Sequence, residues 1–251
     1  MVTFETKCYE NDWEFILKGS YLQQMIARCN YRFAKRTVLI NNVNDIEKVR
    51  HYAEKMVRKH VIDEYYLVDD YAQKVLEHFD VSLSSFNGGY YYSIAELTGI
   101  LLCSTPYLLH FSSDTIPDNS RSPWIKDAIA VFEERQDVIA ANPVWNFNYA
   151  EAKEESIDSL RNFYLGYGFS DQCYLVKTAC FKQRIYNEKH PLSERYPQYG
   201  GELFEKRVDS YMRNHQLYRI TSMNASYVHE NFPKNKQERF RRKLKILLNR
   251  G

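Results

Sequence analysis

The chain has 251 residues, 44% of them hydrophobic, which is enough to bury a sizeable core. Its 34 basic and 32 acidic residues leave a formal net charge of +2, which argues against a general nucleic-acid binder, since such proteins carry a large basic surplus. The sequence also lacks an apolar run near the roughly 20 residues that cross a bilayer, so we expect no transmembrane helix.

The cysteines are odd in number and contain no C-x-x-C pair, which argues against both a disulfide framework and a zinc site. They are Cys8, Cys29, Cys103, Cys173 and Cys180. Residues 1–4 already have the pattern of a strand and not that of a signal peptide. We therefore expect a cytoplasmic protein with reduced thiols.

Strand-like and helix-like segments alternate through the first half of the chain. The strand-like segments are VTFETKCY (2–9), RTVLINN (36–42), EYYLVDDY (64–71) and PYLLHF (106–111). The helix-like segments are WEFILKGSYLQQMIARC (13–29), VNDIEKVRHYAEKMVRKH (43–60), AQKVLEHF (72–79) and YYSIAELTGILLCS (91–104). This order predicts an α/β fold with a mostly parallel central sheet flanked by helices.

Polar residues follow each of these predicted strands. They are Thr6 to Tyr9, Asn41 and Asn42, Asp69 and Asp70, and Ser112 to Asp114. Ligands of such sheets lie at the carboxyl ends of the strands. The sequence therefore predicts one cleft at this edge of the sheet.

The pattern is looser after Pro117. A helix is predicted at 122–135, a strand at 137–147, a charged solvated stretch at 150–160 and a hairpin or strand pair at 166–182. A further helix (201–216), a strand (217–230) and a basic tail complete the sequence.

Three segments resemble the GT-A glycosyltransferases, and in particular the family-2-like bacterial enzymes. They are FETKCYENDW (4–13), GGYYYSIAELTGILLCSTPYLLHFSSD (88–114) and YGGELFEKRVDSYMRNHQLYRITSMNASYVHE (199–230). The resemblance implies one GT-A (nucleotide-diphospho-sugar transferase) domain over 1–232. Its nucleotide-binding half would span about 1–117 and its acceptor-side half about 118–232, followed by a basic amphipathic helix at 233–251.

The resemblance also implies an activity. A sugar would move from a nucleoside diphosphate donor (UDP- or GDP-linked) to a hydroxyl of a glycan acceptor, with inversion and with Mn²⁺ or Mg²⁺, in bacterial surface polysaccharide biosynthesis. Two alternatives remain open: a non-catalytic nucleotide- or glycan-binding protein of the same fold, and a sugar nucleotidyltransferase. Against the last, the residues after the first strand contain no glycine-rich loop.

Asp114 is the expected metal anchor. It corresponds to the second acid of the family's D-x-D motif, whereas Ser112 replaces the first acid and Ser113 lies between them. His229 resembles the additional metal ligand of the family. The alternatives are that Asp114 caps the turn before Pro117 and that His229 is a half-buried histidine bonded to backbone.

The general base is expected among three acids. Glu202 follows two glycines at the predicted start of a helix, and Leu203 stands where the family has a second acid. Glu205 and Asp171 are its competitors, and Asp171 is also a candidate for binding the acceptor sugar. A helix-terminal acid with only a dipole role is the alternative for Glu202.

The resemblance assigns the remaining polar tips to the donor. Thr6 and Tyr9 would line the base, Asn41 or Asn42 would lie near the ribose or uracil, and Asp69 would contact the base edge. Each of these residues is also compatible with ordinary loop polarity.

The tail at 234–250 combines lysines and arginines with an apolar helical face. Such a helix suits peripheral contact with the inner face of the plasma membrane, near a lipid-linked glycan. The alternative is a helix that docks its leucines on the main domain. The tail contains Phe240 but lacks an interleaved aromatic platform, and we expect no nucleic-acid partner.

Overall fold

The computed structural model describes residues 1–198 and 201–230. Their strands are β1 (Val2–Cys8), β2 (Lys35–Ile40), β3 (Glu64–Leu67), β4 (Tyr107–Phe111), β5 (Thr115–Pro117), β6 (Val138–Trp145), β7 (Asp158–Leu160), β8 (Phe163–Gly166), β9 (Cys173–Lys177) and β10 (Tyr218–His229). Their α-helices are α1 (Trp13–Lys18), α2 (Tyr21–Arg28), α3 (Ile46–Arg58), α4 (Ala72–Phe79), α5 (Ile94–Leu102), α6 (Trp124–Glu134), α7 (Tyr149–Glu154), α8 (Thr178–Phe181) and α9 (Phe204–Asn214). The basic helix predicted for 233–251, and with it the membrane contact at 234–250, lies outside the described residues.

These strands form one sheet in the order β3-β2-β1-β4-β9-β6-β10-β8-β7, and β5 pairs with β10 outside this path. Strands β3, β2, β1 and β4 are parallel to one another. Because β9 is antiparallel to both β4 and β6, and β6 is parallel to β10, most strands share one direction. The predicted α/β fold with a mostly parallel sheet flanked by helices is confirmed.

Helices cover both faces of the sheet. On one face, residues such as Trp13 of α1, Val49 of α3 and Phe132 of α6 pack into one hydrophobic core. On the other face, Val75 of α4 and Val208 of α9 belong to a second core. All seven residues of β1 are buried, as expected for a central strand that is covered on both sides.

Some predicted elements differ from the structure. The helix predicted at 13–29 is two helices, because Gly19 is extended (φ −100°, ψ −162°) and ends α1. The helix predicted at 91–104 begins at Ile94, after a 3₁₀ turn at Tyr90–Tyr92. The charged stretch at 150–160 contains α7 and β7.

The hairpin or strand pair predicted at 166–182 is wrong. Strand β9 pairs with β4 and β6, whereas β8 pairs with β7 and β10. The insertion of β9 brings residues 171 and 172, which precede it, to the edge where β1, β4, β6 and β10 end. Among the described residues, no helix is long and apolar enough to cross a membrane.

Candidate active site

Asp114 and His229 meet at the carboxyl edge of the sheet. Asp114 lies in the turn between β4 and β5, and His229 is the last residue of β10. Although 115 positions separate them, His229 Nε2 lies 2.9 Å from Asp114 Oδ2. Backbone contacts fix both residues, because Glu230 N donates to the Asp114 carbonyl over 2.7 Å and His229 N donates to Asn146 Oδ1 over 3.0 Å.

The serines before Asp114 hold its loop in place. Ser112 donates from its backbone nitrogen to the Gln172 carbonyl over 2.8 Å and from its hydroxyl to the Asp171 carbonyl over 3.2 Å. The Ser113 hydroxyl donates to Asp12 Oδ2 over 2.5 Å. Both serines are buried, and thus support the loop that carries Asp114.

Asp12 is a site residue that sequence reasoning missed. Its Oδ1 accepts a 2.6 Å hydrogen bond from Tyr9 N, so its carboxylate joins the end of β1 to the Asp114 loop. Burial raises the pKa of Asp12 to about 6, although hydrogen bonds from Ser113 and Tyr9 offset part of that rise. The only sequence signal was its position just before α1, where an acid is ordinarily a helix cap.

Three acids surround Lys7, which lies near the end of β1. Glu96 of α5 forms a buried ion pair with Lys7. Burial raises the pKa of Glu96 to about 7, although Lys7 offsets part of the rise. The charge of Lys7 also lowers the pKa of Asp171 and of Glu205, so one lysine interacts electrostatically with three acids.

Asp171 connects this acidic group to the Asp114 loop. The pKa of the Asp171 carboxyl is raised, chiefly by burial. The charge of Lys7 opposes this rise, and the charge of Asp114 adds to it. His229 also lowers it slightly. The structure therefore brings together Asp114, His229 and Asp171.

Glu205 is a buried acid at the start of α9. It lies in the first turn of α9, is 9% exposed, and has no hydrogen-bond partner for Oε2 among the described residues. Burial and the neighbouring charge of Asp171 raise the pKa of Glu205 to about 8. A carboxyl of this kind is a stronger proton acceptor, once ionised, than an exposed glutamate.

Glu202 has a different environment. Helix α9 begins at Phe204, so Glu202 precedes the helix. The prediction that Glu202 lies at the start of this helix is therefore wrong. Its carboxylate lies 3.2 Å from Lys206 Nζ, and its backbone carbonyl accepts a 2.7 Å hydrogen bond from Arg207 Nε. These contacts give Glu202 an ion-pair partner, whereas Glu205 forms no ion pair with a described residue.

Arg207 anchors the segment before α9. Its guanidinium donates to the carbonyls of Glu202 and Tyr186 and to the Ser85 hydroxyl, and it stacks 4.8 Å from the centre of the Phe86 ring. Burial lowers its pKa to about 10. These contacts hold α9, and thereby Glu205, against residues 85–86.

The residues predicted to bind the donor include Thr6, Tyr9 and Asn41, which lie at the ends of β1 and β2. Tyr9 Oη and Asn41 Nδ2 both donate to the Tyr91 carbonyl, over 2.9 and 3.0 Å. Thr6 Oγ1 and Asn41 Oδ1 are buried and have no partner within the described ranges. The structure thus brings Thr6, Tyr9 and Asn41 together, with two polar oxygens left unsatisfied.

Asn42 and Asp69 lie further out. Asn42 is exposed in the left-handed conformation (φ 49°), and its carbonyl accepts from Glu10 N over 3.3 Å. Asp69 is exposed in the 3₁₀ turn at Val68–Asp70 and is an electrostatic neighbour of Tyr90. No contact joins either side chain to Asp114.

Asp114 and His229 are chemically suited to a divalent cation, since a carboxylate oxygen and an imidazole nitrogen face each other. No cluster of three or more metal-ligating side chains occurs in the part of the chain that the structure describes. A cation here would need further oxygen ligands from phosphates and water, as is usual for Mg²⁺ bound with a nucleotide.

Neither a protein-family model nor a curated protein sequence matches the chain. Among the solved structures with a similar fold are two that match with a TM-score of 0.55. GalNAc-T7 with UDP, GalNAc and Mn²⁺ matches 91% of this chain with a TM-score of 0.55 and 7% identity, and the chain spans only 43% of that protein. UDP-glucose pyrophosphorylase complexed with UDP-glucose matches 100% of both chains with a TM-score of 0.55 and 9% identity. At these identities the likeness concerns the fold alone, and the protein has the GT-A fold.

Proposed function

We propose that the protein is a metal-dependent glycosyltransferase that moves a sugar from a UDP- or GDP-linked donor to a hydroxyl group of a glycan acceptor. The observation that carries this proposal is the 2.9 Å contact between Asp114 and His229 at the carboxyl edge of a GT-A sheet. The neighbours of the same fold that bind UDP or UDP-glucose support a nucleotide-sugar ligand.

Asp114 and His229 would hold Mn²⁺ or Mg²⁺, and the donor diphosphate with water would complete the ligand set. The imidazole favours Mn²⁺ over Mg²⁺. When bound, the cation supplies neutralisation of the charge that develops on the departing diphosphate. The buried hydrogen bonds of Ser112 and Ser113 keep the Asp114 carboxylate in position for this role.

Thr6, Tyr9 and Asn41 would bind the nucleotide. The side-chain amide oxygen of Asn41, Oδ1, is a buried acceptor without a partner among the described residues. Such an acceptor suits an N–H group of uracil or guanine. The ring of Tyr9 offers a flat face for the base, with its hydroxyl fixed on the Tyr91 carbonyl.

Glu205 is the proposed general base. In its ionised form it would accept the proton of the attacking acceptor hydroxyl, and its raised pKa makes it a stronger base than an ordinary glutamate. Lys7 stabilises the ionised forms of Glu205 and Asp171. A base acting on the acceptor favours direct displacement, and hence inversion at the sugar carbon.

Assignment to bacterial surface polysaccharide synthesis rests on the sequence resemblance alone.

A sugar nucleotidyltransferase is the second candidate, because UDP-glucose pyrophosphorylase matches along its whole length. Only residues 9–12 separate β1 from α1, and none of them is glycine. That connection is too short for a glycine-rich loop around a nucleoside triphosphate. Incubation with UTP and glucose 1-phosphate tests this alternative through the release of pyrophosphate.

Donor turnover tests the proposed activity. A panel of UDP- and GDP-sugars, with and without Mn²⁺, should give at least one donor whose slow hydrolysis needs the metal. Asp114→Ala should abolish that hydrolysis, while Asp127→Asn, a change in α6, should not. Metal-dependent nucleotide binding without any turnover would instead indicate a non-catalytic binding protein. Absence of both would refute the proposal.

A further inference from the structure

A cleft of about 240 Å³ lies beside the candidate active site, on the β6 and β10 side of the sheet. Three of its lining residues are close in sequence to residues of the site. Gln172 follows Asp171, and Tyr227 precedes His229 by two positions. Trp145 precedes Asn146, whose Oδ1 accepts a hydrogen bond from His229 N. The donor-side residues Thr6, in β1, and Asn41, just after β2, lie on the other side of β4, so this cleft is on the acceptor side.

Arg219 contributes the unusual group in this cleft. Its Nε atom is inaccessible to solvent, and its guanidinium forms no hydrogen bond or ion pair with any residue of 1–198 or 201–230. Burying an arginine Nε–H group without an acceptor is costly, and such a group normally has a partner. The ordinary partner of a guanidinium in a binding cleft is a carboxylate or a phosphate.

A second guanidinium lies close to Arg219. A Cβ atom at Gly168, where φ is +100°, would lie 2.5 Å from Arg195 Nη2 and 3.3 Å from Arg219 Nη1. Arg195 has a distant counter-charge in Glu155, at 3.9 Å. The acids that line the cleft, Glu151 and Glu155, are exposed on and just after α7, whereas Arg219 is only partly exposed and has Glu155 as an electrostatic neighbour.

The other lining groups suit a sugar ring. Trp145 is 43% exposed and offers an aromatic face. Asn142 accepts from Thr221 Oγ1 through its carbonyl oxygen, and Gln172 accepts from Tyr227 Oη through its own, so both amide nitrogens are left to donate. An aromatic face with a few convergent polar groups is the usual composition of a small-molecule site.

We propose that this cleft binds an acidic sugar of the acceptor glycan, with Arg219 on its carboxylate or phosphate group and Trp145 against its ring. The assignment as an acceptor subsite rests on the proposed glycosyltransferase function, whereas the binding of an acidic sugar does not require turnover.

Binding of small probes, followed by chemical-shift changes in the ¹⁵N-labelled full chain, tests this proposal without a donor. The probes are methyl β-glucuronide, glucose 6-phosphate, methyl β-glucoside and inorganic phosphate. We expect the two acidic sugars to bind about tenfold or more tightly than the neutral glucoside, as for a charge-assisted hydrogen bond. Equal binding of acidic and neutral sugars would overturn the proposal, and so would equal binding of inorganic phosphate and glucose 6-phosphate.

Variants locate the binding. Arg219→Met should remove the preference for acidic sugars, whereas Arg50→Met, at an exposed arginine of α3, should preserve it. Because the Arg219 guanidinium forms no hydrogen bond or ion pair with a described residue, Arg219→Met should unfold no more easily than the wild type, whereas a purely structural arginine would destabilise the fold when removed. An unchanged preference in Arg219→Met would contradict the proposal.

An exposed variant keeps the test independent of folding at position 219. Glu151→Gln removes a negative charge from the rim and should strengthen glucuronide binding a few-fold without affecting the glucoside. No gain for the glucuronide would count against the proposal. Failure of the glycosyltransferase function itself would appear separately, as absence of metal-dependent UDP binding in the wild type.

Discussion

The Ser113 hydroxyl lies 2.5 Å from the carboxylate of Asp12, 101 positions earlier in the chain. This hydrogen bond fastens the loop that carries Asp114 to the start of α1. From the other side, Glu230 N donates to the Asp114 carbonyl over 2.7 Å. The proposed metal anchor is therefore positioned by two distant parts of the chain, one on each side of the loop.

Ser113→Ala should weaken metal-dependent UDP binding about tenfold or more, because groups that orient a metal ligand are worth about that factor. The lost hydrogen bond should also lower the free energy of unfolding by about 1 kcal/mol. Calorimetric titration and urea unfolding measure the two effects. Ser84→Ala, at an exposed hydroxyl, is the control, and wild-type UDP affinity in Ser113→Ala would show that the loop does not depend on Asp12.

Glu205→Gln should lower turnover by about 10²- to 10⁴-fold, the usual contribution of a general base. Glu202→Gln should lower it only a few-fold, because Glu202 is paired with Lys206. Both variants should bind UDP and Mn²⁺ as the wild type does. Steady-state kinetics with the donor found by screening provide the comparison, and a larger loss in Glu202→Gln would reverse the assignment.

The raised pKa of Glu205 predicts two pH effects. Turnover should rise with pH and level off above about 8, where the carboxyl is ionised. Between pH 4.5 and 8 the folded protein holds a proton that the unfolded chain has lost, so this residue's contribution to stability falls as pH rises through that window. Glutamine does not ionise, so Glu205→Gln does not lose this stability as pH rises. The difference in melting temperature, variant minus wild type, should therefore increase by several degrees from pH 5 to pH 9. A constant difference across that range would contradict a buried, protonated Glu205.

Gly201→Ala should destabilise the protein by about 1–3 kcal/mol, since a side chain there is strained. Gly201 has φ +66°, and a Cβ would lie 2.9 Å from the backbone carbonyl of Phe86. Gly19→Ala is a matched control, because its nearest neighbour would be 3.6 Å away and its φ is negative. Urea unfolding measures both, and equal stability of the two variants would show that the approach of residues 201 and 86 is not restrictive.

The elements that sequence patterns predicted well are those with local signals. Strands β1 to β4 are apolar runs followed by polar tips, and this pattern alone places Thr6, Asn41 and Asp114 at one edge. The end of α1 is also local, but a single glycine within an apolar helical pattern is a weak signal. The segment before α9 is held by contacts of Arg207 with residues 85–86 and Tyr186, which no local pattern reveals. The helix therefore begins at 204 and not at 201, so Glu202 precedes it and Glu205 lies in its first turn.

Pairings between distant segments were not predictable from local patterns. The insertion of β9 between β4 and β6 depends on strand partners far along the chain, and it is this insertion that brings Asp171 beside Asp114. The buried pair of Lys7 and Glu96 spans 89 positions. Asp171, Lys7 and Glu96 are charged residues of types that are usually exposed, and only the fold places them beside one another.

Calorimetric titration of UDP into the wild-type protein, with and without Mn²⁺, tests the central claim most directly when it is repeated with Asp114→Asn. We expect Mn²⁺-dependent binding in the wild type and in the control Asp127→Asn, and loss of the Mn²⁺-dependent part in Asp114→Asn. Binding that is the same with and without the metal, or that survives unchanged in Asp114→Asn, would contradict a role for Asp114 in holding a cation against the diphosphate.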